Sequence, residues 1–150
     1  IEVKDMKQPW ILSTDRSPPL NAIDIHSHIN SGSPYDTKEC IGYSAQLEDL
    51  ISINRAAGID KMFCCTFASC LSTEVIVEEN EYMHTLINQV DCLYQWVVID
   101  PRIEETFAQA ERMLQHKKCV GIKLHPYEHR NLGRSQYLRR SVTERRYFAG

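Results

Sequence analysis

The sequence predicts an α/β fold in which about four parallel strands alternate with helices. Two observations carry this prediction. Short apolar segments start near residues 23, 61, 93 and 120, and apolar residues between them recur at the three- and four-residue spacing of amphipathic helices. The interval between the segments is near the ~30 residues of a β-α-β unit, whose crossover is right-handed in parallel sheets.

The composition limits the class of protein. The 150 residues, 43% of them hydrophobic and 25% charged, fit a single globular domain and exclude a disordered chain. The sequence holds no apolar run of about 18 residues, and its net charge of −3 gives no reason to expect a membrane or nucleic acid as partner. Six cysteines lie mostly in apolar segments without a CxxC pair, so we expect buried, reduced thiols in a cytoplasmic protein.

The first predicted strand follows an irregular lead-in, residues 1–21, and ends in a Gly/Ser/Pro loop at 31–34. Its apolar and polar residues alternate, so side chains two positions apart share a face. The polar face then consists of Asp24, His26 and His28, and the apolar face of Ile23 and Ile25.

Three helices are predicted between the strands. The first begins near Ser44 and stops at Gly58, a residue typical of helix ends. The second covers Glu74–Gln89 with Thr73 as N-cap, and the third covers about Glu104–His116. We expect the buried face of the second helix to consist of Val75, Tyr82, Leu86 and Val90.

The remaining strands differ in their polarity. Lys61–Phe67 and Leu93–Ile99 are almost continuously apolar, as strands covered on both faces are. The fourth strand, Val120–His125, alternates instead. Its polar face consists of Gly121, Lys123 and His125, and its apolar face of Val120, Ile122 and Leu124. Because α/β sheets bind ligands at the carboxyl ends of their strands, the first and fourth strands bring polar side chains to a candidate site.

His26 and His28 are the candidate metal ligands. Two imidazoles at positions i and i+2 of a strand point the same way, and neutral imidazole binds zinc and similar divalent metals. Asp24 is either an acceptor that orients one of the imidazole rings or a packing residue.

Lys123, His125 and Arg102 complete the candidate site. Lys123 is expected to bind a substrate carboxylate, polarise a carbonyl or, once carbamylated, offer an oxygen to a metal, unless its head simply reaches solvent. His125 follows on the same face as a second catalytic candidate. Arg102, just after the third strand, is a candidate for binding a substrate anion, although an ordinary surface position is the simpler interpretation.

These residues resemble a known family. Ile23–His28 resembles the Asp-x-His-x-His signature on the first strand of the amidohydrolase superfamily. Val98–Arg102 followed by Val120–Pro126 resembles its amidohydrolase-2, decarboxylase-like branch. The resemblance implies that residues 22–128 are the amino-terminal half of a TIM-type (β/α)₈ barrel with a divalent metal, usually zinc, held by His26 and His28. Lys123 falls on the strand where related members place a carbamylated lysine.

The resemblance also implies an activity. Metal-bound hydroxide would attack an amide, ester or lactone of a small molecule. A metal-dependent decarboxylase of the same branch and a non-catalytic remnant are the alternatives. The family's later ligands, histidines on strands five and six and an aspartate on strand eight, have no counterpart in the sequence. We therefore expect the chain as given to be inactive, and its incomplete barrel to self-associate.

Residues 129–150 form a basic tail. They contain six arginines and a single acid, Glu144. The tail is interpreted either as a further helix, Gln136–Phe148, or as an aberrant end of the chain.

Overall fold

A computed structural model describes residues 22–36 and 44–129. They form one all-parallel sheet of four strands in the order β1-β2-β3-β4, with helices between the strands. The α/β class and the parallel sheet are thus confirmed. The elements are β1 (Ala22–Ile29), α1 (Leu47–Ala56), β2 (Ile59–Thr66), α2 (Phe67–Leu71), α3 (Ile76–Gln89), β3 (Leu93–Val98), α4 (Glu104–Met113) and β4 (Cys119–Lys123), with a 3₁₀ turn at Thr73–Val75.

Two parts of the sequence interpretation lie outside the described residues: the lead-in at 1–21 and the further helix at Gln136–Phe148. Within 22–36 and 44–129, no helix combines the length and the apolar character needed to cross a membrane.

The helix α2 was not expected from the sequence. Phe67 was predicted to end the second strand, but the strand stops at Thr66 and Phe67 begins α2. The hydroxyl of Thr66 accepts a hydrogen bond from the backbone N–H of Ser69 at 3.4 Å, so Thr66 is the N-cap of this short helix. Because Thr66 caps a helix, β2 ends one residue earlier than the apolar pattern of Lys61–Phe67 indicates.

The predicted buried face of α3 is confirmed in part, because Leu86 and Val90 pack against the main core, but Tyr82 does not belong to this face. Tyr82 is 39% exposed, whereas Ile76, Met83 and Ile87 are fully buried. The buried row also contains the polar Asn80, whose side chain bonds β3. A hydrophobic pattern cannot identify such a position, because there a hydrogen-bonded amide replaces an apolar contact.

The main core lies on one face of the sheet. Met83 and Ile87 of α3 and Met113 of α4 pack there against residues from all the strands, and residues of α1 border the same cluster. Sequential strand order with right-handed crossovers has this effect, because each crossover places its helix on the same side.

The opposite face of the sheet carries aromatic side chains. The indole N–H of Trp96 on β3 donates to the carbonyl of Ile25 on β1 at 2.9 Å, so the ring spans β2. Gly121 on β4 makes room for this ring, because a Cβ atom there would lie 2.6 Å from Cζ3 of Trp96. Ile23 and Ile25 are 47% and 65% exposed, so these isoleucines do not enter the main core.

Candidate metal centre

The site lies where β1, β2 and β4 end. Parallel strands bring their carboxyl ends to one edge of the sheet. His28 on β1 is the direct neighbour of Cys65 on β2, and Lys123 closes β4, with His125 two residues beyond it. The ring centroids of His28 and His125 are 6.3 Å apart. The structure thus brings the candidate residues of the first and fourth strands together, as the shared-edge argument predicted.

A β-bulge changes the face assignment within β1. Asp24 pairs with Met62 and Ser27 with Cys64, so β1 contains one more residue than β2 over this stretch. The extra residue shifts the alternation by one position. Strict alternation predicted that Asp24 shares a face with both histidines, and this prediction is wrong for His28.

The carboxylate of Asp24 bonds its own strand. It accepts hydrogen bonds from the hydroxyl of Ser27 and from the backbone N–H of His26, the latter at 2.9 Å. Neither donor is an imidazole ring. These contacts hold the bulge that positions His26.

The two candidate ligands lie side by side. Their Nε2 atoms are 3.0 Å apart, and their rings meet edge to face with centroids separated by 5.0 Å. Burial, followed by the charge of nearby Lys123, lowers the pKa of His26 below its usual 6.5. A lowered pKa favours the neutral imidazole, which is the metal-binding form.

The other nitrogen of His28 faces two thiols. Its Nδ1 atom lies 3.6 Å from Sγ of Cys65 and 3.4 Å from Sγ of Cys70, and the two sulfurs are 3.5 Å apart. His28, Cys65 and Cys70 could therefore hold a metal ion. Both cysteines are buried and free, as expected for reduced thiols.

The two thiols differ in acidity. The contact with the Cys70 thiol lowers the pKa of Cys65 well below 9.0, and contacts with His125 and His28 act in the same direction. The same sulfur–sulfur contact, together with burial, raises the pKa of Cys70.

Histidines from the end of β4 border the thiols. Nε2 of His125 is buried and has no hydrogen-bond partner among the described residues. His129 is buried as well, with Nε2 3.0 Å from the carbonyl of Ser69 on α2, and its ring centroid lies 5.6 Å from that of His125. His129, assigned to the basic tail from the sequence, therefore packs against the site.

Arg102 is bound to a buried acid. Its Nε donates to Oδ1 of Asp100 at 3.0 Å, and its Nη2 forms an ion pair with Oδ2 of the same residue. Asp100 is fully buried, whereas the side chain of Arg102 is 38% exposed. The guanidinium is therefore already paired, and binding of a substrate anion by Arg102 stays a prediction.

Sequence reasoning missed the thiols of Cys65 and Cys70. They were expected to be ordinary core residues, and their spacing of five differs from the CxxC pattern. Two features together could have indicated these thiols. Thr66, directly after Cys65, is a residue type that caps helices, and Cys65 is the partner of His28 on the adjacent parallel strand.

Comparison with known proteins adds no relative. No protein-family model, no curated protein and no solved structure matches this chain. The resemblance to the amidohydrolase superfamily therefore stays a prediction.

Proposed function

We propose that this chain carries the metal-binding half of an amidohydrolase-type hydrolase, with a TIM-type barrel as the complete fold. The enzyme would use a divalent ion, zinc in the first instance, to hydrolyse an amide, ester or lactone of a small molecule. The observation that carries the proposal is the pair of Nε2 atoms of His26 and His28, 3.0 Å apart at the carboxyl end of β1.

The separation of the two nitrogens supports a shared ion. Two imidazole nitrogens on a tetrahedral zinc ion lie about 3.3 Å apart, given Zn–N bonds of about 2.0–2.1 Å. The observed 3.0 Å is close to this value, although a direct N–H···N hydrogen bond would give the same distance. Metal binding by variants separates these two explanations.

The strand order supports the barrel. A sheet ordered β1-β2-β3-β4, with α1, α3 and α4 packed on the face of the main core, has the arrangement of consecutive strands in a (β/α)₈ barrel. In a doubly wound sheet the strand order reverses at a switch point, and helices cover both faces. Within the described residues the order does not reverse.

The residues around the histidines supply complementary chemistry. When bound, the ion would lower the pKa of a bound water and polarise the substrate carbonyl. Lys123 lies close enough to His26 for its charge to lower the histidine pKa, which supports a role for its ammonium in binding a substrate carboxylate or a developing negative charge. The unpartnered Nε2 of His125 offers a further donor for the ion or a proton acceptor.

Zinc binding by chelator-stripped protein tests the metal pair. In a Cys65→Ser, Cys70→Ser background, which removes the thiols beside His28, we expect about one zinc ion per chain by calorimetry. In that background His26→Ala should weaken binding by more than about tenfold, because even groups outside the ligand set contribute about that much. His84→Ala is the matched control, since His84 also lies beside a thiol and a second imidazole. Equal zinc affinity with and without His26→Ala in this background would contradict the pair as ligands.

Reaction class is tested separately. The expected result is no lactonase, amidase or decarboxylase turnover by the zinc-loaded 150-residue chain above a His26→Ala, His28→Ala control. The resemblance assigns activation of the water to an aspartate on strand eight, and general-base help of this kind contributes about 10²–10⁴ in rate. Histidine-dependent turnover would show instead that the chain assembles a complete site. Coding DNA beyond Gly150 that lacks a histidine-bearing fifth strand and a late aspartate in every frame would count against the amidohydrolase assignment.

A further inference from the structure

We propose that Cys65, Cys70 and the Nδ1 atom of His28 form a thiolate site for zinc or a softer ion such as cadmium. This site shares His28 with the His26–His28 pair, and it does not depend on the proposed hydrolase function. It uses the opposite nitrogen of His28 and two thiols that the hydrolase proposal leaves without a role.

The three donor atoms already span one face of a tetrahedron. With Zn–S bonds of about 2.3 Å and Zn–N bonds of about 2.0–2.1 Å, two sulfurs on zinc are about 3.8 Å apart and a sulfur and a nitrogen about 3.6 Å apart. The observed sulfur–sulfur distance is 3.5 Å, and the sulfur–nitrogen distances are 3.6 and 3.4 Å. A metal ion would therefore require only small movements of these side chains.

Charge and burial favour a divalent ion bound to two thiolates. Cys65 and Cys70 are 1% and 2% exposed, and they pack against the apolar Ile76 and Val98. A lone charge in such a place would be costly, but a divalent cation with two thiolates and a neutral imidazole has no net charge. Binding releases the two thiol protons to solvent, so the affinity rises with pH.

The backbone holds the donors in place before any ion binds. Cys65 and His28 are paired residues of adjacent strands, so their side chains leave the same face of the sheet. Thr66 then starts α2, and the single turn of this helix returns Cys70 to Cys65. Ligands on regular elements keep their geometry better than ligands on loops, which lowers the entropy lost on binding.

His125 is the fourth ligand in this proposal. Its ring centroid lies 6.3 Å from that of His28, and its buried Nε2 has no hydrogen-bond partner among residues 22–36 and 44–129, so a rotation of the His125 side chain would bring this nitrogen to the ion. A Cys₂His₂ set is one of the common closed zinc sites in proteins.

The thiolate site and the His26–His28 pair exclude each other. A neutral imidazole has one unprotonated nitrogen, so an ion on Nδ1 of His28 leaves the proton on Nε2. That proton can then be donated to Nε2 of His26, 3.0 Å away, and His26 becomes the group that fixes the tautomer of His28. An ion held by the thiols therefore withdraws His28 from the hydrolytic pair.

Cobalt titration of the full chain under reducing conditions tests the site. We expect a thiolate-to-cobalt charge-transfer band that saturates at about one ion per chain and is abolished by Cys65→Ser and by Cys70→Ser. Zinc affinity should fall by more than about 100-fold in each variant, since substitutions outside the ligand set already cost about 10–100-fold. Cys119→Ser is the matched control, because Cys119 is also buried and lies 3.6 Å from a histidine Nδ1, that of His84.

Two further results keep the two proposals apart. His26→Ala should retain the charge-transfer band, because His26 does not bind the ion in the thiolate site. X-ray absorption of the zinc-loaded, unsubstituted chain should show two sulfur ligands, a measurement that does not depend on a variant folding. A zinc shell without sulfur, or a cobalt band that survives in Cys65→Ser and Cys70→Ser, would overturn the thiolate site and leave the His26–His28 pair untouched.

Discussion

Glu79 on α3 shares a single hydroxyl with a second acid. The hydroxyl of Ser31 lies 3.0 Å from Oε1 of Glu79 and 3.0 Å from Oδ2 of Asp36. The Ser31 hydroxyl has one proton and can donate to only one of the two carboxylates. Both contacts are hydrogen bonds only when the other acid is protonated and donates to the Ser31 oxygen. Burial raises the pKa of Glu79 above 4.5, and Asp36 and Glu78 act in the same direction. Folded Glu79 therefore keeps its proton to a higher pH than a glutamate in solvent does.

This raised pKa predicts a pH dependence of stability. Between 4.5 and the folded-state pKa, folded Glu79 holds a proton that the unfolded chain has released, so the free energy of unfolding falls as pH rises through this window. Glu79→Gln carries permanent N–H donors and should lose this dependence. Urea unfolding between about pH 4 and 7 measures the difference, with Glu105→Gln, an exposed position on α4, as control. Parallel pH curves for Glu79→Gln and the unsubstituted chain would rule the effect out.

The elements α3, β3 and α4 are joined by a buried amide. Asn80 accepts a hydrogen bond from the N–H of Val98 at 3.0 Å and donates to the carbonyl of Val98 and to Oε1 of Gln109, each at 2.8 Å. Gln109 on α4 donates in turn to the carbonyl of Val77 at 2.8 Å. Because all these groups are buried or partly buried, each bond replaces hydration that folding removes.

Asn80→Ala should destabilise the fold. The substitution leaves the N–H and C=O of Val98 and the amide of Gln109 without that partner, and we expect a loss of about 3 kcal/mol. Asn88→Ala is the control on the same helix, since exposed Asn88 bonds only the carbonyl of His84 among the described contacts, and its cost should stay below about 1 kcal/mol. Chemical denaturation measures the free energy of unfolding of both variants. Similar losses in the two variants would show that the buried amide does not join the elements.

The molecule as a whole has two unlike faces. Helices cover the main core on one side of the sheet, whereas the other side exposes Ile23 and Ile25 beside the Trp96 ring. β1 and β4 are the outer strands of the described sheet, and the edge of β1 is bridged only near Ile29, by Ala45. Exposed apolar residues at a partly open strand edge favour association between copies.

Self-association is therefore expected for the 150-residue chain. Ile25→Lys places a charge on the open face and should shift the protein toward monomer in analytical ultracentrifugation. Ile53→Lys is the matched control, because Ile53 is 63% exposed, close to the 65% of Ile25, but lies on α1. A stable monomer before any substitution, or equal effects of both lysines, would contradict association through this face.

The sequence by itself determined the parallel α/β fold, the strand positions within a few residues and the polar ends of the first and fourth strands. These features depend on the spacing of apolar residues within short stretches of the chain, and that spacing is visible in the sequence itself. Even there, the bulge after Asp24 changed the face of His28 and the Thr66 cap changed the end of β2. Both features involve side-chain hydrogen bonds, which a hydropathy pattern does not contain.

Only the tertiary structure decided the make-up of the site. Cys65 and Cys70 look like core residues in the sequence, and they become neighbours of His28 only when β2 pairs with β1 and α2 turns back on itself. The pairing of Arg102 with buried Asp100 and the burial of His129 against Ser69 depend on the same kind of contact. Distances between side chains far apart in the chain follow from packing, and packing is a property of the whole fold rather than of any segment.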